Sequence, residues 1–297
     1  MSEAGAKISV VIAAYNAESY LEAAVSSVLA QDVAGLEVVI VDDGSSDGTP
    51  ELICRLCADS RVRSLQHPGG VNRGPSCSRE LGVHAAKGEY ICFLDADDKF
   101  LPGKIERQIE AMSRHPRAVM CHTAVRSLEQ AASTADFVQH FSLGPELLEY
   151  ALAGQPDFLE KNRIANSSAM ILRSALDGLS FGVQQLFQFE DWLLWLLLSE
   201  RGSFVYLPEP LIDYRYHPSS ATYYIHRVPL LRDYALVELC LMLRAKSGSQ
   251  SELSRKAKVR LERVLERIEE KYRSPLGHQT LSVPERLVRA LGRVFGR

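Results

Sequence analysis

The alternation of apolar and polar positions divides the first hundred residues into strands and helices. Residues 8–13 (Ile-Ser-Val-Val-Ile-Ala) and 37–41 (Glu-Val-Val-Ile-Val) are short β-branched runs, the pattern of strands buried on both faces. Residues 62–66 and 90–94 predict two more strands. Apolar residues at helical spacing predict helices over 18–30 (Leu21, Val25, Val28, Leu29), 51–58 and 76–86, the last closed by Gly88 as a C-terminal cap. Pro102 is expected at the first position of the next helix. This alternation with short links predicts a parallel sheet with right-handed crossovers. Ligands of such sheets bind beyond the carboxyl ends of the strands. The polar clusters fall there: Tyr15-Asn16 after the first strand, Asp42-Asp43 after the second, and Asp95 to Asp98 after the fourth.

Beyond residue 125 the pattern is weaker. Residues 143–153 read as a helix, 166–172 as a strand, 190–199 as a strongly apolar helix, and 204–207 and 211–216 as strands. The chain is expected to be helical from Val228 onward, with 251–272 a charged amphipathic helix. In 283–297, Leu287, Leu291, Val294 and Phe295 share one face, with arginines elsewhere. That basic amphipathic segment suits an anionic membrane surface; packing on the protein's own core is the alternative. The longest apolar stretch, Trp192–Leu198, falls far short of the ~20 residues of a membrane span. With no apolar signal region at the N-terminus, the expected location is cytoplasmic, either free or in peripheral contact with the inner membrane face through the last helix.

The 297 residues carry a net charge of −3, so the global basic field of a nucleic-acid binder is absent. Cys54 and Cys57 form a C-x-x-C, but no second pair or nearby His completes a zinc site. Reduced thiols on one helix face are the expected state. No G-x-G-x-x-G follows the first strand and no P-loop occurs, so a phosphate ligand must be neutralised by other means. Asp95-Ala96-Asp97 offers one. Alternate residues of an extended chain point the same way, and paired carboxylates suit Mg²⁺ or Mn²⁺. A solvated acidic turn is the plainer reading of the same three residues.

Four segments in order carry a family resemblance: Val10 to Asn16, Val41 to Thr49, Asn72-Arg73-Gly74 with Arg79 and Gly82, and Ala86 to Asp98. Together they resemble the family 2 glycosyltransferases, which have the GT-A fold. The resemblance implies an α/β protein with a mostly parallel central sheet flanked by helices and a helical C-terminal extension. It implies that Tyr15 lines the nucleobase, that Asp42 or Asp43 bonds the base or ribose, and that Arg79 contacts the nucleotide. Asp95 would meet the ribose or sugar and Asp97 the metal, with Asp98 assisting. Ala13 stands where the family often has Pro, and Glu80 where Asn often follows the Arg.

The second half adds further matches. Glu190-Asp191 before an apolar helix resembles the family's acidic pair, which implies Asp191 as catalytic base supported by Glu190; a helix N-cap is the alternative for Asp191. Tyr214 to Ser220 resembles an R-x-H-x-x-S segment, which implies Arg215 at phosphate and His217 at the metal. The expected protein is therefore an inverting transferase. It would use a nucleotide-sugar donor, UDP-linked, a divalent cation (Mn²⁺ or Mg²⁺), and a glycan, glycolipid or protein acceptor. Residues 1–225 would form the transferase domain, with 1–115 its nucleotide-binding half and 116–225 its acceptor half; 226–297 would be the extension. The alternatives are a nucleotidyltransferase, which would carry a Gly-rich basic loop where Ala14 to Glu18 stands, and a non-catalytic carbohydrate- or nucleotide-binding protein.

Overall fold

A computed structural model describes residues 7–128, 139–152, 159–182, 189–217, 229–247 and 251–272. The expectation for 283–297 lies outside these residues. The chain divides into two compact units, residues 1–185 with 190–218, and residues 186–189 with 219–297.

The first unit is built on a nine-stranded sheet. Strands β1 (Ile8–Ala14), β2 (Leu36–Asp42), β3 (Val62–Gln66) and β4 (Tyr90–Phe93) pair in parallel in the order β3-β2-β1-β4. Helices α1 (Leu21–Leu29), α2 (Thr49–Leu56) and α3 (Pro75–Ala85) make the crossovers. Burial of β1 and β2 on both faces follows from their unbroken β-branched runs: Ile8, Val10, Val11, Ile12, Val38, Val39, Ile40 and Val41 are wholly buried. The sheet continues through β8 (Met170–Leu172), β6 (Ala118–Ser127), β9 (Ser203–Tyr214) and β5 (Lys99–Phe100), with β7 (Leu148–Tyr150) also on β9. In this half β6 and β9 are parallel and the other pairs are antiparallel.

Several local expectations shift for physical reasons. Residues 148–150 are a strand, not a helix, because they pair antiparallel with Phe204 to Tyr206 and bury Tyr150 there; tertiary pairing overrides a weak local pattern. The two strand signals at 204–207 and 211–216 belong to one strand, β9, whose register to β6 slips between Thr123 and Ala124. Pro208 and Pro210, which cannot complete a ladder, account for the slip. Gly88 is not a left-handed cap. It lies against β1, where a Cβ would stand 2.5 Å from the Ser9 nitrogen. Helix α4 (Lys104–Arg114) begins after Gly103, which takes φ 78° as its N-cap, so Pro102 precedes the helix. Helix α5 (Glu190–Leu198) is apolar all round because Trp192 to Leu198 are all buried.

Gly82 lets α3 settle onto β1 and β2. A Cβ there would lie 2.4 Å from Val11 Cγ1 and 3.3 Å from Val41 Cγ2, both on wholly buried valines. Overpacking costs about 1–3 kcal/mol, whereas the helix-propensity gain of Ala over Gly is about 1 kcal/mol. Gly82→Ala is therefore expected to lower the urea midpoint without changing the slope of unfolding. A raised midpoint would show that α3 is not seated as described.

In the second unit, α6 (Pro229–Lys246) and α7 (Glu252–Tyr272) pack on each other, and Arg267 bonds Asp233 at 2.6 Å. No helix among the described residues is long and apolar enough to cross a membrane. The six cysteines are free, with Cys54 exposed and Cys92, Cys121 and Cys240 buried.

Candidate active site

The loops after β1 and β2 interlock. The Asp43 N–H donates to the Ala14 carbonyl at 2.8 Å, the Asn16 N–H to Ser45 Oγ at 3.0 Å, and the Ser46 N–H to Asn16 Oδ1 at 2.8 Å. Asn16 takes φ 49°, a left-handed conformation that Asn tolerates. This turn leaves the Tyr15 ring 53% exposed at the sheet edge.

Asp42 and Asp43 are both buried, and each carboxylate holds a loop. Asp42 accepts the Ser45 N–H at 3.0 Å and Gln66 Nε2 at 2.7 Å. Asp43 accepts the N–H groups of Arg73 and Gly74 at 2.8 and 2.9 Å and Ser78 Oγ at 2.9 Å. Gly44 packs so closely on residues 70–72 that a Cβ would stand 2.7 Å from the Gly70 carbonyl oxygen, and its φ is 77°. Only glycine meets both conditions.

Helix α3 ties this region to the acidic turn after β4. Ser78 reaches Asp43, and its neighbour Arg79 donates from one terminal nitrogen to Asp95 at 2.7 Å and from the other to Glu190 at 2.9 Å. Burial opposes the guanidinium charge, but the two carboxylates outweigh it and hold Arg79 above its ordinary pKa. Glu80, the departure from the family pattern, accepts the N–H groups of Phe181 and Gly182 at 2.7 and 3.0 Å, while Ser76 donates to the Phe181 carbonyl at 2.6 Å. One face of α3 thus fastens the 181–182 loop.

The three acids after β4 occupy different surroundings. Asp95 accepts Asn166 Nδ2 at 2.7 Å besides Arg79. Its pKa is raised, first by burial and then by Asp97, against the pull of Arg79. Asp97 lies 2.9 Å from His217 Nε2, and its carbonyl accepts Arg215 Nε at 3.1 Å. Asp98 is buried and has both oxygens engaged, by the Arg215 N–H at 2.8 Å and Ser167 Oγ at 2.5 Å. Burial, then Asp97 and Asp95, push its pKa well up. The Arg215 guanidinium stands 4.8 Å over the Tyr20 ring, and the His217 ring lies 5.4 Å from it.

At the mouth of α5, Glu190 meets Arg79 while Asp191 accepts Asn162 Nδ2 at 3.0 Å and the Trp192 N–H at 2.7 Å. Burial, then the charge of Glu190, pushes the Asp191 carboxyl up to about 7, against Arg79. A carboxyl near neutrality is suited to exchange protons at working pH. Arg79 thus brings the β4 acids and the α5 acids together, and the Asp97–His217 contact adds the end of β9. Tyr15, Asp42 and Asp43 share the sheet edge without a direct bond to that group.

The sequence pattern missed the 165–168 turn. Gln108, wholly buried on α4, donates to the carbonyls of Cys121 and Ser168 at 3.0 and 2.9 Å and seats this turn against the sheet. Ser167 then accepts the Asp95 N–H and donates to Asp98, while Asn166 braces Asp95. The only signal was a polar Asn-Ser-Ser entering an apolar strand, which the strand reading absorbed.

Among solved structures, the architecture is similar to that of S. aureus TarS 1–349 in complex with UDP-GlcNAc. The TM-score is 0.66 with 17% identity, over 89% of this chain and 73% of that one. It is also similar to the mannosyltransferase PcManGT from Pyrobaculum calidifontis in complex with GDP-Man and Mn²⁺, with a TM-score of 0.61 and 15% identity over 99% and 81%. The fold is thus that of the GT-A transferases. Residues 9–178 match the profile of glycosyl transferase family 2, and the chain belongs to that family. Over 66% of its length it is 31% identical to 71% of an Escherichia coli relative, the UDP-Glc:alpha-D-GlcNAc-diphosphoundecaprenol beta-1,3-glucosyltransferase WfaP. The match to three other curated relatives spans only 20% to 45% of their length.

Proposed function

We propose that the chain transfers a sugar from a UDP-sugar to an acceptor hydroxyl with inversion, in the synthesis of a cell-surface polysaccharide, lipopolysaccharide or glycoconjugate. The observation that carries this is the chain of contacts His217–Asp97, then Asp95–Arg79–Glu190 with Asp191 beside it, at the carboxyl edge of a GT-A sheet. The UDP-glucose named for the E. coli relative and the UDP-GlcNAc bound to TarS support the donor class.

A divalent cation fits the donor set of Asp97 and His217. A carboxylate oxygen and an imidazole nitrogen already in contact offer two ligands, and Mn²⁺ or Mg²⁺ commonly completes its shell with phosphate oxygens and water. No three His, Cys, Asp or Glu among the described residues converge as a full cage. The Mn²⁺ of PcManGT is consistent with this. When bound, the cation supplies positive charge against the departing nucleoside diphosphate.

The chain's own residues do the rest. Tyr15 presents its ring to the nucleobase, and Asp42 and Asp43 keep the base and ribose wall in shape. Arg79 holds Asp95 toward the ribose or sugar, with Glu190 as its counter-charge. Arg215 adds a cation beside Asp97 for the diphosphate. Asp191 accepts the proton of the attacking hydroxyl, and one base on the face opposite the leaving group gives a single displacement. Residues 1–115 form the nucleotide-binding half and 116–225 the acceptor half, from which Arg215 and His217 reach the diphosphate and cation, and 226–297 extend the domain.

A thermal-shift screen of nucleotide-sugars with and without Mn²⁺ tests the reading. Ligands that bind only the folded state raise its melting temperature by mass action. UDP-sugars are expected to raise it in Mn²⁺ and much less in EDTA. No shift with any nucleotide-sugar, or a shift only with UTP together with pyrophosphate release from a sugar phosphate, would overturn the reading.

A further inference from the structure

Asn162 stands beside Asp191 and is fixed from behind. Its Oδ1 accepts the Ile164 N–H at 3.2 Å, and its carbonyl oxygen accepts His140 Nε2 at 2.5 Å. A backbone N–H can only donate, so the amide oxygen must face Ile164. The amide nitrogen is left to face Asp191, and it donates to Oδ2 at 3.0 Å. The second carboxylate oxygen takes the Trp192 N–H at 2.7 Å. Asp191 is thus gripped at both oxygens by donors that the chain holds in place.

We propose that Asn162 is the positioning residue of the base, holding the Asp191 carboxylate in one orientation and, as a donor without an acceptor on that side, favouring its ionised form. The assignment rests on the reading of Asp191 as base. A hydrogen bond donated to the charged form lowers a carboxyl pKa. The other groups facing Asp191 are Glu190 on its own helix and Asp95 from the end of β4, which both disfavour its ionisation, and Arg79 on α3, which favours it. His140 stands behind Asn162. Without the Asn162 amide, Arg79 and the Trp192 N–H remain to oppose burial and the two acids.

Asn162→Asp separates this role from a merely structural one. The variant keeps an oxygen for the Ile164 N–H, so the local turn is retained, but sets a carboxylate oxygen against Asp191 Oδ2. Two carboxyls in contact titrate as a pair with one value strongly raised. Aspartate ¹³C-carboxyl NMR titration reads this directly, with the Asp191 resonance assigned as the one lost in Asp191→Asn. Asn162→Ala is expected to raise the Asp191 midpoint by about one pH unit, a tenfold change in proton affinity, and Asn162→Asp by more. A midpoint that stays put in a folded Asn162→Asp protein would overturn the assignment. So would failure of both variants to fold, since Asn162 would then serve the loop itself. The base reading fails separately: unimpaired turnover in Asp191→Asn would remove it while the NMR still reported whether the two side chains are coupled.

Discussion

Asp191→Asn is expected to lower sugar-transfer turnover by roughly 10²–10⁴-fold, the contribution of a positioned general base, while the UDP affinity stays within about twofold. The substitution keeps the size of the side chain and its acceptor for the Trp192 N–H, but removes the proton acceptor. The wild-type pH profile carries the same signature. Asp191 must be ionised to act, and burial and Glu190 place its titration at about 7. Turnover is expected to fall about tenfold per pH unit below 7 and to level off above. The shift also acts on stability. Between the unfolded carboxyl value of about 4 and 7, the folded state binds a proton that the unfolded chain releases, so stability from this group declines as pH rises through that window. The melting temperature of wild type minus that of Asp191→Asn should decline over the same interval. A turnover that is flat from pH 5 to 8, or undiminished in Asp191→Asn, would remove Asp191 as the base.

Asp97→Ala is expected to cost turnover at least about 10²-fold and to erase the Mn²⁺ dependence of donor binding, since Lewis-acid stabilisation is worth several kcal/mol. The fold should survive, because neighbours of Asp97 carry the local structure. Its carbonyl, not its carboxylate, accepts Arg215 Nε, and Asp98 holds Ser167 and the Arg215 N–H. Asp98→Ala is the contrast, since it leaves donors from two segments without their shared acceptor. Donor titrations with and without Mn²⁺ beside circular dichroism of both variants check this. Mn²⁺-dependent binding retained in Asp97→Ala would place the cation elsewhere.

The parallel half of the sheet was legible because its strands are buried on both faces and read as unbroken β-branched runs, ending in acids at one edge. The mixed half was not. Residues 148–150 take their form from pairing with β9, and β9 itself is interrupted in sequence by Pro208 and Pro210. The site divides in the same way. Asp95, Asp97, Glu190 and Asp191 stand out as acids beside apolar runs. That Arg79 spans Asp95 and Glu190 depends on a contact across 111 residues, which no local pattern encodes. Asn162, Asn166 and Ser167 escaped notice for a different reason. Short polar residues read as turn formers; the packing of the 165–168 turn by Gln108 sets Asn166 and Ser167 against Asp95 and Asp98, and the Ile164 N–H and His140 set Asn162 against Asp191.

The measurement that bears most directly on a shared cation and diphosphate site is the affinity for Mn²⁺, read by electron paramagnetic resonance with and without saturating UDP. Linkage requires that two ligands meeting at one site tighten each other by the same factor. The wild type is expected to bind Mn²⁺ weakly alone and at least about tenfold more tightly with UDP, and Asp97→Ala is expected to show no such gain. An Mn²⁺ affinity indifferent to UDP, or a gain that persists in Asp97→Ala, would contradict the account.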